Sequence, residues 1–164
     1  MLPAEPFTAL TDYALAAAAL GFAVAAARSR GAHNRVSAWL WCAAFVAAAV
    51  AAAVGGTYHG LHGRLDARRL DALWNITVFA MGGCAAFIVA GIHTADLTRG
   101  GDTIGWLIAA IATTLAGAAV QQLGVPGLAG WNRNAMYHLI QIAGLYLFHR
   151  SARTVRDRPG APAC

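Results

Sequence analysis

The sequence predicts an all-α integral membrane bundle of about five transmembrane helices, and three observations carry that expectation. Of its 164 residues, 59% are hydrophobic and only 12% charged, too few charges to cover a water-exposed domain of this size, so lipid is the solvent it suits. The apolar residues gather into five runs, four of them close to the twenty or so that a helix needs to cross hydrocarbon and the last shorter. The breaks between runs hold Arg, Gly and Pro. A strand reading fails, because an isolated strand leaves its backbone unsatisfied in lipid and no alternating pattern suggests a barrel.

The first run, residues 8–27, has Glu5 before it and Asp12 near its start, acidic where a secretory signal would be basic, so this segment is expected to stay in the mature chain. The second, 36–58, passes Trp39 and Trp41 and continues as AAFVAAAVAAAVGG. Such small residues let helix backbones approach closely where lipid supplies no hydrophobic drive. The third, 73–92, begins beside Trp74 and carries Gly82 and Gly83; the fourth, 103–123, carries Gly105, Trp106 and Gly117. The fifth, 135–148, is the shortest; it contains Gly144 and admits polar residues in its first turn. Trp39, Trp41, Trp74, Trp106 and Trp131 all stand near the start of a run, the place of interfacial anchors. The glycines named read as close-packing positions.

Residues 1–150 are therefore expected to form one transmembrane domain, and residues 151–164 a short, basic, disordered cytoplasmic tail. Orientation follows from arginine. Arg28, Arg30, Arg35, Arg99, Arg150, Arg153, Arg156 and Arg158 fall on one side, and Arg64, Arg68, Arg69 and Arg133 on the other. The positive-inside rule then puts the N-terminus outside and the C-terminus in the cytoplasm, with the plasma (inner) membrane as the expected location. The net charge of +5 lies between apolar runs and forms no basic stripe with interleaved aromatics, so no nucleic-acid partner is expected. Cys42, Cys84 and Cys164 lack CxxC spacing and support neither a disulfide framework nor a thiolate zinc site.

Polar side chains at membrane depth are costly, and they are functional candidates by default. Folding five helices up and down brings His59, His62, Asp71, Asn75, Gln121, Gln122, Asn134, Tyr137, His138 and Gln141 to one end of the bundle, the outer one on the orientation above. Asn134, His138 and Gln141 share one face of the last helix, as Asp71 and Asn75 do on the third. Three imidazoles and a carboxylate suffice for a zinc with an open position, with His59, His138 and His62 as ligands. Asn75, Gln121, Gln122, Asn134, Tyr137 and Gln141 would then orient these groups or line the substrate. His33, His93 and His149 lie at the opposite end, beside ordinary interfacial charge.

GGTYHG at 55–60, QQLG at 121–124 and NRNAMYHLIQIAGLYLFHR at 132–150 resemble an uncharacterised family of multi-pass membrane proteins. That family is marked by Tyr-His-Gly at one helix end and Asn-x-Asn-x-x-Tyr-His-Leu-Ile-Gln opening the last helix. Its members are often longer, which implies a chain shortened between helices three and four. A remoter similarity is to the alkaline ceramidase and progestin/adipoQ receptor hydrolase superfamily. There a His late in one helix, an Asp early in the next and two His on the last bind zinc and activate water. His59, Asp71 and His138 occur in the matching order, whereas Gly55 stands in place of that superfamily's Ser and Gln141 or Ile142 in place of its second His.

The expected function is an enzyme acting on a lipid or another lipophilic amphiphile at one membrane interface. Its chemistry would be zinc-assisted hydrolysis or metal-free acid–base catalysis by Asp71 with His59 or His138, as in isomerisation or cyclisation. The rival is a non-catalytic membrane subunit that binds haem, quinone or a protein partner. A thin bundle of short Ala-rich helices is also suited to forming a homo-oligomer.

Overall fold

The computed structural model describes residues 5–31, 33–97, 102–123 and 132–157. Five helices follow in chain order: α1 (Pro6–Arg28), α2 (Arg35–Leu61), α3 (Ala67–Thr94), α4 (Thr103–Leu123) and α5 (Arg133–Thr154). The expected all-α bundle is what forms. Four of these helices, α1 to α4, are long and apolar enough to cross a membrane, and the protein is a membrane protein. The fifth, expected to span as well, has 22 residues, but it carries polar side chains along much of its length and falls short of the others in apolarity. Three helices, α1, α2 and α4, pack on α5, which leaves Leu139 and Tyr146 exposed.

Packing runs in the order α3, α2, α1, α5, α4, so α1, α2 and α5 make the centre. Among the described residues α3 touches only α2, and α4 touches only α5. The outer pair is correspondingly bare. Phe79 and Val89 on α3 are 80% and 66% exposed, and Ile108 and Leu115 on α4 are 61% and 64% exposed. In lipid such surfaces cost nothing, because the tails are as apolar as the side chains.

The α1–α2 seam is built of buried alanines (Ala16, Ala19, Ala23 and Ala26 against Ala44, Ala49 and Ala52), which let the two backbones approach. Gly117 and Gly144 serve the α4–α5 seam as expected: a Cβ at Gly144 would lie 2.9 Å from the Thr114 hydroxyl. Gly82, Gly83 and Gly105 do not, since nothing lies within 4 Å of a Cβ built there. Trp41 departs from its anchor role. It is 1% exposed and packs with Phe45, Phe148 and Gly91 in an aromatic core at the arginine-rich end. Trp39 and Trp74 are exposed, and Trp131 lies outside the described residues.

That end is closed by residues expected to belong to a disordered tail. Ser151, Ala152 and Val155 are buried, and the chain beyond α5 crosses the bundle as a strap. The Asp96 amide donates to the Arg156 carbonyl and the Asp157 amide to the His33 carbonyl, each at 2.7 Å. The Asp157 carboxylate accepts from the Val36 and Ser37 amides, both at 2.9 Å, and from the Ser37 hydroxyl. These are the free N–H groups of the first turn of α2, so Asp157 caps a helix some 120 residues before it in the chain. Residues 158–164 lie outside the described residues.

Candidate functional site

At the other end, α1, α2, α4 and α5 assemble a polar network. Asn132 is the N-cap of α5, its side chain accepting from the Ala135 amide at 2.8 Å. The Asn132 side-chain Nδ2 donates to Glu5 at 3.1 Å and to the Thr8 hydroxyl at 2.7 Å. Thr8 in turn donates to Glu5 at 2.9 Å. Asn134 donates to Glu5 at 3.3 Å and accepts from Gln121 at 3.1 Å, and the His59 imidazole lies 3.5 Å from the Glu5 carboxylate. Burial would raise the Glu5 carboxyl, but the Thr8 hydroxyl, the charge of His59 and the amides of Asn134 and Asn132 together hold it below its ordinary value.

Two turns further into the bundle, about 10 Å along α1, stands the carboxylate that matters most. Asp12 is 4% exposed and His138 is 8% exposed. His138 Nε2 lies 3.3 Å from Asp12 Oδ1, and its Nδ1 lies 3.2 Å from the Thr11 hydroxyl. That hydroxyl has one hydrogen, and the carbonyls of Thr8 and Phe7 stand 2.9 and 3.0 Å away to accept it. Its oxygen is then an acceptor, which places a proton on Nδ1 and turns Nε2 toward the carboxyl group. A hydrogen bond between Nε2 and Asp12 Oδ1 takes one further proton, carried by either atom.

The second carboxyl oxygen, Asp12 Oδ2, is buried with no hydrogen-bond partner among the described residues. It faces Gly55. A Cβ at Gly55 would lie 3.7 Å from Oδ2 and 3.7 Å from the Thr77 methyl, ordinary contact on both sides. At Gly56 a Cβ would lie 3.0 Å from Asp12 Cβ and 3.2 Å from the Ala9 carbonyl, so glycine there is what lets α1 bring Asp12 against α2.

The expected site residues divide. His59, Gln121, Asn134 and His138 share this end as the up-and-down topology requires, with Tyr137 beside His138 at 5.3 Å between ring centroids. Gln141 points to α4, donating to the Thr114 carbonyl at 3.4 Å. Asp71 does not join them. It and Asn75 are exposed on α3, which packs only on α2, and Gln122 is exposed on α4. His62 ends α2 edge-on to Tyr58 and belongs to neither carboxylate pair. Asp12 therefore takes the position expected of Asp71. His59 and His138 are held by different carboxylates, and no three His, Cys, Asp or Glu side chains gather as a metal would require among the described residues. At the far end His33 and His93 are exposed and His149 stacks on Phe22 at 5.2 Å, so they form no common site.

Sequence reasoning overlooked Glu5, Thr8, Thr11 and Asp12. Their signal is the stripe logic that served α5: Glu5, Thr8 and Asp12 are spaced i, i+3, i+7 and so share a helix face.

A family model described as a family of unknown function (DUF6962) matches residues 7–98 and 84–157. The chain belongs to this family. The matches take in every residue of the network except Glu5, and their overlap at 84–98 falls at the end of α3. No curated protein and no solved structure matches the chain.

Proposed function

We propose that this member of the family is an integral membrane enzyme that rearranges a lipid or similar apolar amphiphile by proton transfer, with Asp12 and His138 as its acid–base pair. The observation that carries the reading is a buried Asp–His pair at hydrogen-bond distance, with the second carboxyl oxygen unpartnered among the described residues and facing Gly55. A buried polar group without a partner is costly, and such groups are kept where they do chemistry. In an isomerisation the pair delivers a proton to one end of a substrate double bond and takes one from the carbon next to its other end, so the double bond shifts by one position, protons balance and no co-reactant is needed. Thr11 fixes the imidazole tautomer; Glu5, Asn132 and Asn134 hold the ends of α1 and α5 in register.

Zinc-assisted hydrolysis has less support, because the ligand set it needs is split between two carboxylate pairs. Haem bridged by His59 and His138 has less as well, since both nitrogens of His138 are engaged. On the arginine count, this end faces outward.

The test needs no prior substrate. Purified protein is incubated with a total lipid extract in heavy water, and lipids are compared by high-resolution mass spectrometry. Solvent-derived deuterium should enter a lipid class with wild type and not with His138→Gln. Labelling equal in both, or none with wild type, refutes the reading, and release of acyl chains would point back to hydrolysis.

A further inference from the structure

The bundle end opposite the Asp12–His138 pair carries a second unassigned feature. The α1–α2 turn surrounds an open cleft of about 480 Å³ lined by Arg28, Arg30 and Arg35 with Ala27 and Gly31. Among the described residues none of the three arginines has a carboxylate within ion-pair distance. Arg30 donates to the Ala27 carbonyl at 3.0 Å, and its guanidinium lies 4.2 Å over the Trp39 ring. The neighbouring α2 N-terminus makes no demand on an outside anion, because Asp157 already caps it. Three cations converge there, and among the described residues no carboxylate pairs with them.

Apolar stripes descend from two of the three. Leu20 and Val24 lie under Arg28 on α1 at successive i, i+4 steps, and Trp39, Val46 and Val50 continue the face of Arg35 on α2; all five are exposed. A free inorganic anion has no use for these stripes, whereas a phospholipid has acyl chains to lay on them. We propose that this cleft binds the phosphate of an anionic phospholipid, with Arg28 and Arg35 as its cationic walls and the Arg30–Trp39 pair at the interface between headgroup and chains. The site stands whether or not the protein is an enzyme.

The test is native mass spectrometry of purified protein in detergent, titrated with phosphatidylglycerol or phosphatidylcholine. Phosphatidylglycerol should be retained about tenfold better, and the double variant R28Q/R35Q should bring the two lipids to parity. The exposed Arg64→Gln variant, at the other end of the bundle, should behave as wild type. Equal retention by wild type, unchanged preference in R28Q/R35Q, or loss of preference in Arg64→Gln overturns the proposal. So does displacement of phosphatidylglycerol by equimolar inorganic phosphate, which would make the ligand a free anion. Should R28Q/R35Q not fold, the salt dependence of wild type decides: preference must fall as ionic strength rises, and a salt-independent preference overturns the site.

Discussion

Asp12 and Asp157 stand at opposite ends of the bundle, and each reaches across to a helix other than its own. Asp157 is fully engaged: its two oxygens take the Val36 and Ser37 amides and the Ser37 hydroxyl, all donors that a helix start leaves free. Asp12 meets His138 with one oxygen, and its other oxygen has no hydrogen-bond partner among the described residues. A carboxylate whose lone pairs are spent on backbone amides is a clamp. One that is buried, keeps an oxygen unspent and faces an imidazole at hydrogen-bond distance has the geometry to pass a proton.

Removing each carboxylate in turn separates the two roles. Asp12→Asn should lower solvent-deuterium labelling about 10²–10⁴-fold while leaving thermal stability in detergent unchanged or raised, since a neutral amide replaces a buried carboxyl that has one oxygen unpartnered among the described residues. Asp157→Ala should do the reverse, keeping labelling and lowering stability by about 1–2 kcal/mol, the cost of a lost helix cap. Were Asp12→Asn to unfold the protein as readily as Asp157→Ala, both aspartates would be clamps.

Gly55→Ala sharpens the contrast. The added methyl sits at ordinary contact distance from Asp12 Oδ2, and alanine is the better helix former by about 1 kcal/mol, so melting should hold or improve. Labelling should nonetheless fall, because the methyl occupies the space before the unpartnered oxygen. Retained labelling would mean that substrate approaches elsewhere.

The smallest effect concerns Glu5. Its carboxyl is held below the ordinary value, so its ionised form stabilises the fold. That contribution is full above the ordinary carboxylate range and fades as pH falls through the lowered value. Glu5→Gln should therefore melt below wild type at neutral pH by under about 1 kcal/mol, and the gap should close in acid. A gap that widens on acidification would contradict the network drawn around Glu5.

Hydropathy located all five helices because lipid imposes one element type and a minimum length. It erred where charge and helix coexist. α3 starts at Ala67, before Arg68, Arg69 and Asp71, and α5 runs past His149 and Arg150 to Thr154. Charged residues mark where hydrocarbon ends, and a helix continues beyond that line while its backbone bonds are satisfied. The site's end of the bundle was legible from His59, Gln121, Asn134 and His138, since topology alone brings those helix ends together. Its carboxylate was not. Asp12 reads as a flanking charge because it lies near the start of an apolar run, while the His59–Asp71–His138 order suggested a family of zinc sites. Choosing Asp12 over Asp71 required knowing that α1 and α5 pack together and that α3 stands outside the central three helices.

The strap has a consequence for biosynthesis. Helix α2 is made early, yet the carboxylate that caps it arrives on residue 157, after α3, α4 and α5 have been threaded into the bilayer. Until then the first turn of α2 must satisfy its amides with water or lipid headgroups, and the core around Trp41 and Val155 stays unsealed. Completion is thus tied to the last helix, and a chain halted after α4 would hold its spans in the membrane with neither end of the bundle assembled.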